Sequence, residues 1–521
     1  PVANAGPDQS ITTGSLVTLD GSASSDADSD PLGYSWTFVS VPGGSALTQL
    51  SNAATASPSF TPDVLGDYVI KLIVNDSSID SLADNVTITA ASLFVAGAWS
   101  VTPALIDDSA GSQWTTQVAI NEAGDMVAVW FVSDLGINNV YGSHYNSVTE
   151  VWTSPVLLET IDLDAAQLKL AIDATGNAVA VWTMDTGGFD SIYANRFDAD
   201  TGLWGTALEL DNTAEYTEAP DVGMDDAGNA IVVWLETLPV TNFESIKSRR
   251  FDSIGAWELA SWSSVVDLAS GDVEYGDPRV AVNSAGDAVA IWNQPNQTTV
   301  AARRYSPTTP GWGAPVTFAS NLDYVSNIKL AIDAQGNIVV IWSQLNATVR
   351  DLYANYLYVG ESLWDGLASL ENLTTNVEDF HVAMDGNGNA FAIWTHLNSL
   401  YGSPANRDVY TSRYDALTGW GTPEQIDSDT ANINEVAIAM DSSGNALAQG
   451  ISEDSVSRDP VVNRYNADTS TWSGTEVLAP GGRFSSLAAN SSGQAVLAWV
   501  NGVIDPNTGN WITKLYVSLL R

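Results

Sequence analysis

The chain of 521 residues carries 62 acidic against 18 basic side chains, a formal net charge of −44, with 41 glycines and no cysteine. A field of that sign repels phosphate backbones and anionic membranes, and the missing thiols exclude a disulfide framework, a thiol nucleophile and thiolate metal sites. Apolar residues at 45% against charged ones at 15% suffice for a buried core, and no apolar run reaches the roughly 18 residues of a transmembrane segment. The start at Pro1, without a charged-then-apolar leader, reads as a mature or truncated product of secretion into surroundings where salt screens the acidic surface.

Residues 1–92 alternate β-branched and polar side chains, as in Leu16-Val17-Thr18-Leu19 and Tyr68-Val69-Ile70-Lys71-Leu72-Ile73-Val74, between turns of Gly, Pro, Ser and Asp. That pattern predicts a small β-sandwich. The segments "PVANAGPDQ", "VTLDGSASSDADSDPLGYSW", "SPSFTPDVLGDYVIKLIVND" and "DNVTITA" resemble the PKD-type immunoglobulin-like module of bacterial surface and secreted proteins, over essentially all of residues 1–92. The resemblance implies a seven-stranded sandwich with Trp36 in its core, serving as a spacer, an adhesive module or an accessory to a degradative enzyme, with no catalysis of its own. Asp26, Asp28 and Asp30 alternate along one turn and offer the oxygen ligands Ca²⁺ requires, the one cofactor the sequence suggests. Capping of the turn by those same aspartates is the alternative, and Ser29 stands where relatives often carry Gly.

From residue 94 a motif recurs: an apolar strand, Asp-x-x-Gly-Asn or a close variant, then an alternating strand ending in Trp, as in "AIDATGNAVAVW" ending at Trp182. The motif glycines are Gly124, Gly176, Gly228, Gly286, Gly336, Gly388, Gly444 and Gly493, spaced by 52, 52, 58, 50, 52, 56 and 49 residues. Each unit continues with a third strand of the type "IYANRFD" and a fourth opening on Trp99, Trp152, Trp204, Trp257, Trp312, Trp364, Trp420 or Trp472. The last repeat has chain for three strands only, while the strand around Trp99 has no repeat of its own. An all-β, eight-bladed propeller over residues 93–521, closed when residues 99–106 complete the C-terminal blade, removes the exposed edges an open array would leave.

The recurring turn has a geometric cause, since Asp hydrogen-bonds its own backbone and Gly takes φ > 0 in a tight hairpin between the first two strands. It departs from the Ser-x-Asp-x-Gly-x-x-Trp box of sialidases, and no arginine triad for a carboxylate can be picked out. Fifteen of the 19 tryptophans fall at repeat-equivalent positions and predict packing between blades. Trp114, Trp262 and Trp511 fall outside that register, as does Trp36 of the first module, and Trp114 is the best sugar-stacking candidate, on a connector near the channel. The same class of connector carries Asp162 and Asp164; Asp211, Glu215, Tyr216 and Glu218; Asp272, Glu274, Tyr275 and Asp277; Asp323 and Tyr324; and Asp427 and Asp429. Ringing one face, they would form an acidic, partly aromatic mouth.

His144, His381 and His396 are the only histidines and occupy different repeat positions, against a zinc cluster or a histidine-dependent triad. A lyase needs a His or Tyr base beside an Arg or metal that neutralises the substrate carboxylate, and His396, Tyr401 and Arg407, on the long connector 395–407, are the catalytic candidates. That connector lies beside the repeat whose Trp has become Gly450. The leading expectation is a non-enzymatic, secreted or cell-surface bacterial protein that binds an extracellular glycan or a surface protein through its propeller face. The alternatives are a polysaccharide-active lyase or hydrolase, and a self-assembling subunit of a filament or surface layer. Nucleic acid is not an expected partner.

Overall fold

The computed structural model describes residues 1–521 except 13–15, 43–44, 46, 63–65, 92–98, 101–102, 109–110, 135, 212–214, 239–242, 272–274, 277, 295–297, 320–323, 347, 360–365, 372–374, 398–406, 428–431, 454–456, 505–510 and 521. Two compact units emerge: Pro1–Val101 with Tyr145–Trp152, and Thr102–His144 with Thr153–Arg521. The described elements are strands, apart from one 3-10 turn at Leu259–Ser261. Among them no helix is long and apolar enough to cross a membrane.

The N-terminal sandwich sets a four-stranded sheet, in the order Gln9–Thr12, Asp84–Ala91, Gly66–Asn75 and Gly33–Ser40, beside the pair Val17–Thr18 and Ser59–Phe60. That makes six strands among the described residues where the resemblance implied seven. Alternation along Gly66–Asn75 sends Tyr68, Ile70, Leu72 and Val74 inward against Trp36, whose Nε1 donates to the Thr55 carbonyl at 3.0 Å.

Eight further sheets follow, one per repeat; seven run outward in chain order and the eighth takes its outermost strand from the start of the ring. Their innermost strands, in blades 1 to 8, are Ser112–Ile120, Ala165–Ile172, Tyr216–Met224, Arg279–Val282, Val325–Ile332, Val377–Met384, Asn432–Met440 and Arg483–Ala489. Each packs on the next, and the eighth packs on the first, so the ring closes. Strand pairing joins the two ends of the ring as well: Ala104–Asp107 pairs antiparallel with the C-terminal strand Trp511–Leu520, with Leu105 opposite Tyr516. Trp99, expected to open this strand, lies ahead of it and is buried.

The core of the ring is the tryptophan repeat. Trp130, Trp182, Trp234, Trp292, Trp342, Trp394 and Trp499 are at most 1% exposed. Burying an indole removes roughly 200 Å² from water, which at about 25 cal/mol per Å² contributes on the order of 5 kcal/mol each. In four blades the ring stacks on the tyrosine opposite it on the third strand, as in Trp182 on Tyr193 and Trp342 on Tyr353. The outer tryptophans pair with the end of the third strand, as Trp204 does with Phe197 and Trp472 with Tyr465. In blade 3 that place belongs to Trp262, bridged to Phe251, and not to Trp257, which packs edge-on against it because residues 252–261 form an inserted turn. Trp364 lies outside the described residues.

Every motif turn closes as its residues require. In blade 2 the Asp173 Oδ1 accepts the backbone N–H groups of Thr175 and Asn177, its Oδ2 accepts Asn177 Nδ2, and Asn177 Oδ1 takes the N–H of Ala199 on the neighbouring turn. The same pattern holds around Asp225, Asp333, Asp385 and Asp441.

Candidate functional site

Antiparallel pairing gathers the N-terminal ends of the innermost strands and the hairpins between second and third strands at one end of the ring. Here the innermost strands are bulged in seven of eight blades, at Trp114/Thr116, Ala166/Lys169, Glu218/Asp221, Ser326/Ile328, Val377/Phe380, Asn434/Ala437 and Arg483/Ser486. Six residues at these bulges take left-handed backbone: Thr115, Gln167, Ala219, Asn327, Glu435 and Phe484. Each costs about 1–2 kcal/mol unless the surroundings enforce it, and such strain gathers at working sites.

The enforcement runs from blade to blade. Gln167 Oε1 accepts the Ala219 N–H at 2.6 Å, Asp221 Oδ2 that of Val280 at 2.9 Å, and Asp379 Oδ2 that of Glu435 at 3.1 Å. Glu435 Oε2 then accepts the Ser485 N–H at 3.2 Å, and Ser486 Oγ that of Val118 at 3.2 Å, across the closure.

Within this end, blades 5 to 7 hold two joined cavities. The outer one, about 380 Å³, is lined by Tyr324, Ser326, Arg350, Asn376, Glu378 and Asp379. It shares Asn327, Glu378 and Asp379 with a deeper cavity of about 200 Å³ that reaches Lys329, His381 and Glu435. A second hollow of about 730 Å³ lies between blades 7, 8 and 1, with Trp114, Phe484, Glu453 and Arg458 in its wall.

Three arginines stand at one equivalent position, opposite the residue three beyond the repeat Trp: Arg350 opposite Leu345, Arg407 opposite Leu397 and Arg458 opposite Glu453. Arg350 Nη1 donates to Ser326 Oγ at 2.5 Å, and its guanidinium lies 5.6 Å from the Tyr324 ring centre. Arg407 Nε donates to Glu378 Oε2 at 2.5 Å and its Nη1 to Asn432 Oδ1 at 3.1 Å. Arg458 Nε donates to Glu453 Oε1 at 2.8 Å. Burial, and to a lesser degree the charge of Asp379, holds the Glu435 carboxyl above the usual carboxylate range. The sequence reading missed this trio because the second-to-third connector is longer in blade 6; alignment on the repeat Trp and the third strand recovers it.

Among the expected catalytic residues, Arg407 reaches the mouth and His396 does not. His396 is 4% exposed, with Nδ1 2.9 Å from Thr375 Oγ1 and Nε2 3.9 Å from Glu371, and burial keeps it neutral by lowering its pKa. Tyr401 lies outside the described residues. His144 is buried against Phe197, their rings 4.6 Å apart.

Trp114 is not on a connector but on the innermost strand of blade 1, 45% exposed and 5.8 Å from Phe484. Tyr216 and Tyr324 are each 47% exposed, and Glu218, Asp162 and Asp164 are exposed. Glu215 is half-buried, with its carboxyl pushed up by burial and by Glu236. Tyr275 is packed in the core between blades 3 and 4. Asp211 and Asp427 are buried instead of lining a mouth: each accepts a backbone N–H of the third strand, from Ile192 and Val409, as Glu159 does from Val140. Asp272, Glu274, Asp277, Asp323 and Asp429 lie outside the described residues.

In the sandwich, Asp26 Oδ1 accepts the N–H groups of Asp28 at 2.9 Å and Asp30 at 3.3 Å, and its Oδ2 pairs with the Pro1 amino group at 3.2 Å. The turn is thus capped by its own aspartate, and Ser29 takes φ 65° in place of a glycine. Among the described residues no group of three or more His, Asp or Glu side chains is arranged to hold a metal ion.

Residues 5–90 match a family model of the PKD domain. Comparison with curated proteins finds no match. Among solved structures, the chain is similar to a PL25 ulvan lyase at 10% identity over 66% of this chain and 90% of that one, TM-score 0.44. It is similar to the Hadza microbial sialidase Hz136 at 11% identity over 75% and 94%, TM-score 0.38. A third is the GH93 α-L-arabinofuranosidase of Fusarium graminearum, at 13% identity over 58% and 92%, TM-score 0.35. The expectation of a non-enzymatic adhesion protein is corrected at this point: the three chains matched are polysaccharide- and glycoside-processing enzymes. The class defined by the fold is a PKD-type sandwich followed by an eight-bladed propeller.

Proposed function

We propose that this chain is an extracellular polysaccharide-active enzyme, a lyase or hydrolase, that works at the mouth of blades 5 to 7 on a polymer bearing carboxylates. The observation that carries the reading is Arg350 in the wall of the 380 Å³ cavity, with Arg407 and Arg458 at the equivalent positions of the next two blades, in a chain with only 18 basic residues. A planar guanidinium matches a carboxylate bidentately, so Arg350 in the cavity wall favours an anionic group over a neutral sugar.

Two chemistries fit the same pocket. Tyr324 beside Arg350 suits elimination: its phenolate takes the proton next to a carboxylate that the guanidinium neutralises, the C–O bond breaks, and the phenol returns the proton to the leaving glycosidic oxygen. Glu435, its pKa raised by burial, beside Asp379 supplies two carboxyl groups in different environments, the requirement for hydrolysis. Trp114 and Phe484 offer faces on which further sugar units stack.

Incubation with uronate-bearing and neutral polysaccharides separates these. Elimination yields unsaturated ends that absorb in the ultraviolet and are lost in Tyr324→Phe; hydrolysis yields reducing ends without that absorbance and is lost in Glu435→Gln. Either activity falls at least about a hundredfold in Arg350→Met, the scale of one lost charge-stabilising contact. Release of no new ends from any polymer overturns the reading. Running the series with calcium and with chelator, and following melting temperature, also tests the calcium proposal at Asp26, Asp28 and Asp30.

A further inference from the structure

Deeper than the mouth, one position of each innermost strand recurs seven residues before the motif glycine and pairs with the residue just before the repeat Trp. Blades 1 to 6 place Gln117, Lys169, Asp221, Arg279, Lys329 and His381 there, and blades 7 and 8 the small Ala437 and Ser486. Acidic side chains outnumber basic ones 62 to 18 over the chain, yet this ring holds three Lys or Arg against one Asp. The inversion is local and lies in the channel.

We infer that this ring is an oxyanion-binding site, with Lys329 as its central donor flanked by Lys169, Arg279 and His381. Lys329 lines the 200 Å³ cavity together with His381. Among the described residues nothing accepts a hydrogen bond from its ammonium group. Burial, then the charges of Lys169 and Arg279, push its pKa down to about 8 against the opposing pull of Asp221 and Asp379.

The carboxylates around it each hold a hydrogen bond elsewhere. Asp221 holds the Val280 N–H, Asp379 that of Glu435, Glu435 that of Ser485, and Glu378 the Arg407 guanidinium. His381 is neutral, its pKa pushed down to about 3 by burial and by Lys329. With Nδ1 turned to the Ile438 N–H at 3.5 Å, its proton sits on Nε2, which is then a donor. Cations held near one another across a channel from blades 2, 4, 5 and 6, with a neutral donor beside them, suit a sulfate, phosphate or carboxylate. That anion is either a free inorganic ion or the charged group of a bound sugar.

The test uses the full chain and does not depend on catalysis. Melting temperature is followed as millimolar sodium sulfate replaces chloride at constant ionic strength, for the natural sequence, for Lys329→Met, and for Lys71→Met, which removes the same charge from the sandwich. Sulfate is expected to raise the melting temperature of the natural chain and of Lys71→Met, with the shift absent from Lys329→Met. An equal shift in all three, or no shift in the natural chain, overturns the site. Should Lys329→Met fail to fold, Lys169→Met reads the same loss. A second arm replaces sulfate by uronate or sulfated oligosaccharides: a Lys329-dependent shift with them assigns the site to a sugar's anionic group, and a shift with sulfate alone assigns it to a free ion. A sulfate shift in a chain that cleaves no polymer leaves this site standing and removes the enzymatic reading alone.

Discussion

At the scale of single residues, the charged groups divide into those that hold blades together and those left to face a ligand. Glu159 is of the first kind: 4% exposed, it accepts the Val140 N–H at 2.8 Å through Oε2, while burial raises its pKa from 4.5 to about 7. Its Oε1 finds no partner among the described residues, as suits a carboxyl that keeps its proton. The native chain therefore binds one more proton than the unfolded chain between pH 4.5 and about 7, and stability falls as pH rises across that window. The loss by pH 8 is on the order of 3 kcal/mol. Glu159→Gln keeps the acceptor and removes the charge, so its melting temperature should exceed the natural chain's at pH 8 and match it at pH 4; thermal melts at both values check this.

At the scale of elements, the hairpin of each blade is decided by its glycine and its Asx pair. Blade 6 contains its own control, because its turn holds two glycines. Gly388 has φ +84°, and an added Cβ would sit 3.0 Å from the Tyr356 hydroxyl, whereas Gly386 has ordinary φ and open space. Gly388→Ala should cost about 1–2 kcal/mol from the left-handed backbone alone. Gly386→Ala should be neutral or stabilise by up to about 1 kcal/mol through the unfolded chain. Urea unfolding of the pair reads the contrast, and equal effects would count against turn geometry as the cause of the repeat. Blade 7 shows the opposite adaptation. Where the others carry Trp, Gly450 leaves space that Ile433 fills, its Cγ2 2.6 Å from where a Cβ would stand. Gln449 beside it bonds the Glu435 carbonyl and Ser485 Oγ, so the altered blade still braces the mouth.

At the scale of the whole molecule, the ring is locked where the chain ends meet. Asp107 in the closing strand accepts Trp130 Nε1 of blade 1 at 2.8 Å, and Thr513 donates to the Gln113 carbonyl at 2.9 Å, so closure ties blade 8 to blade 1 through side chains as well as strand pairing. A chain lacking residues 511–521 leaves Ala104–Asp107 without its strand partner and exposes the outer edge of Ala495–Ile504. Exposed edges recruit other chains, so size-exclusion chromatography should show assemblies above the monomer mass and melting should lose its single cooperative step. A monomeric, cooperatively melting truncation would mean that packing between blades suffices without the lock.

The sequence by itself determined the repeat, the turns, the tryptophan core and the closure by the two chain ends, because turn chemistry and strand alternation act over a few residues and are written locally. It did not resolve Trp262 standing in for Trp257, since an inserted turn shifts the register while leaving an aromatic at the expected place. It misplaced Trp114 because connector and strand end read alike until a bulge fixes the register, and it put Asp211 and Asp427 on the right connectors without revealing that each turns inward to a third-strand N–H. Tertiary structure alone decided which charges meet. Lys169, Arg279, Lys329 and His381 lie on four different blades, and Arg350, Arg407 and Arg458 on three. Their convergence depends on a closed ring turning equivalent positions toward one axis, a global angle that no local pattern of side chains encodes.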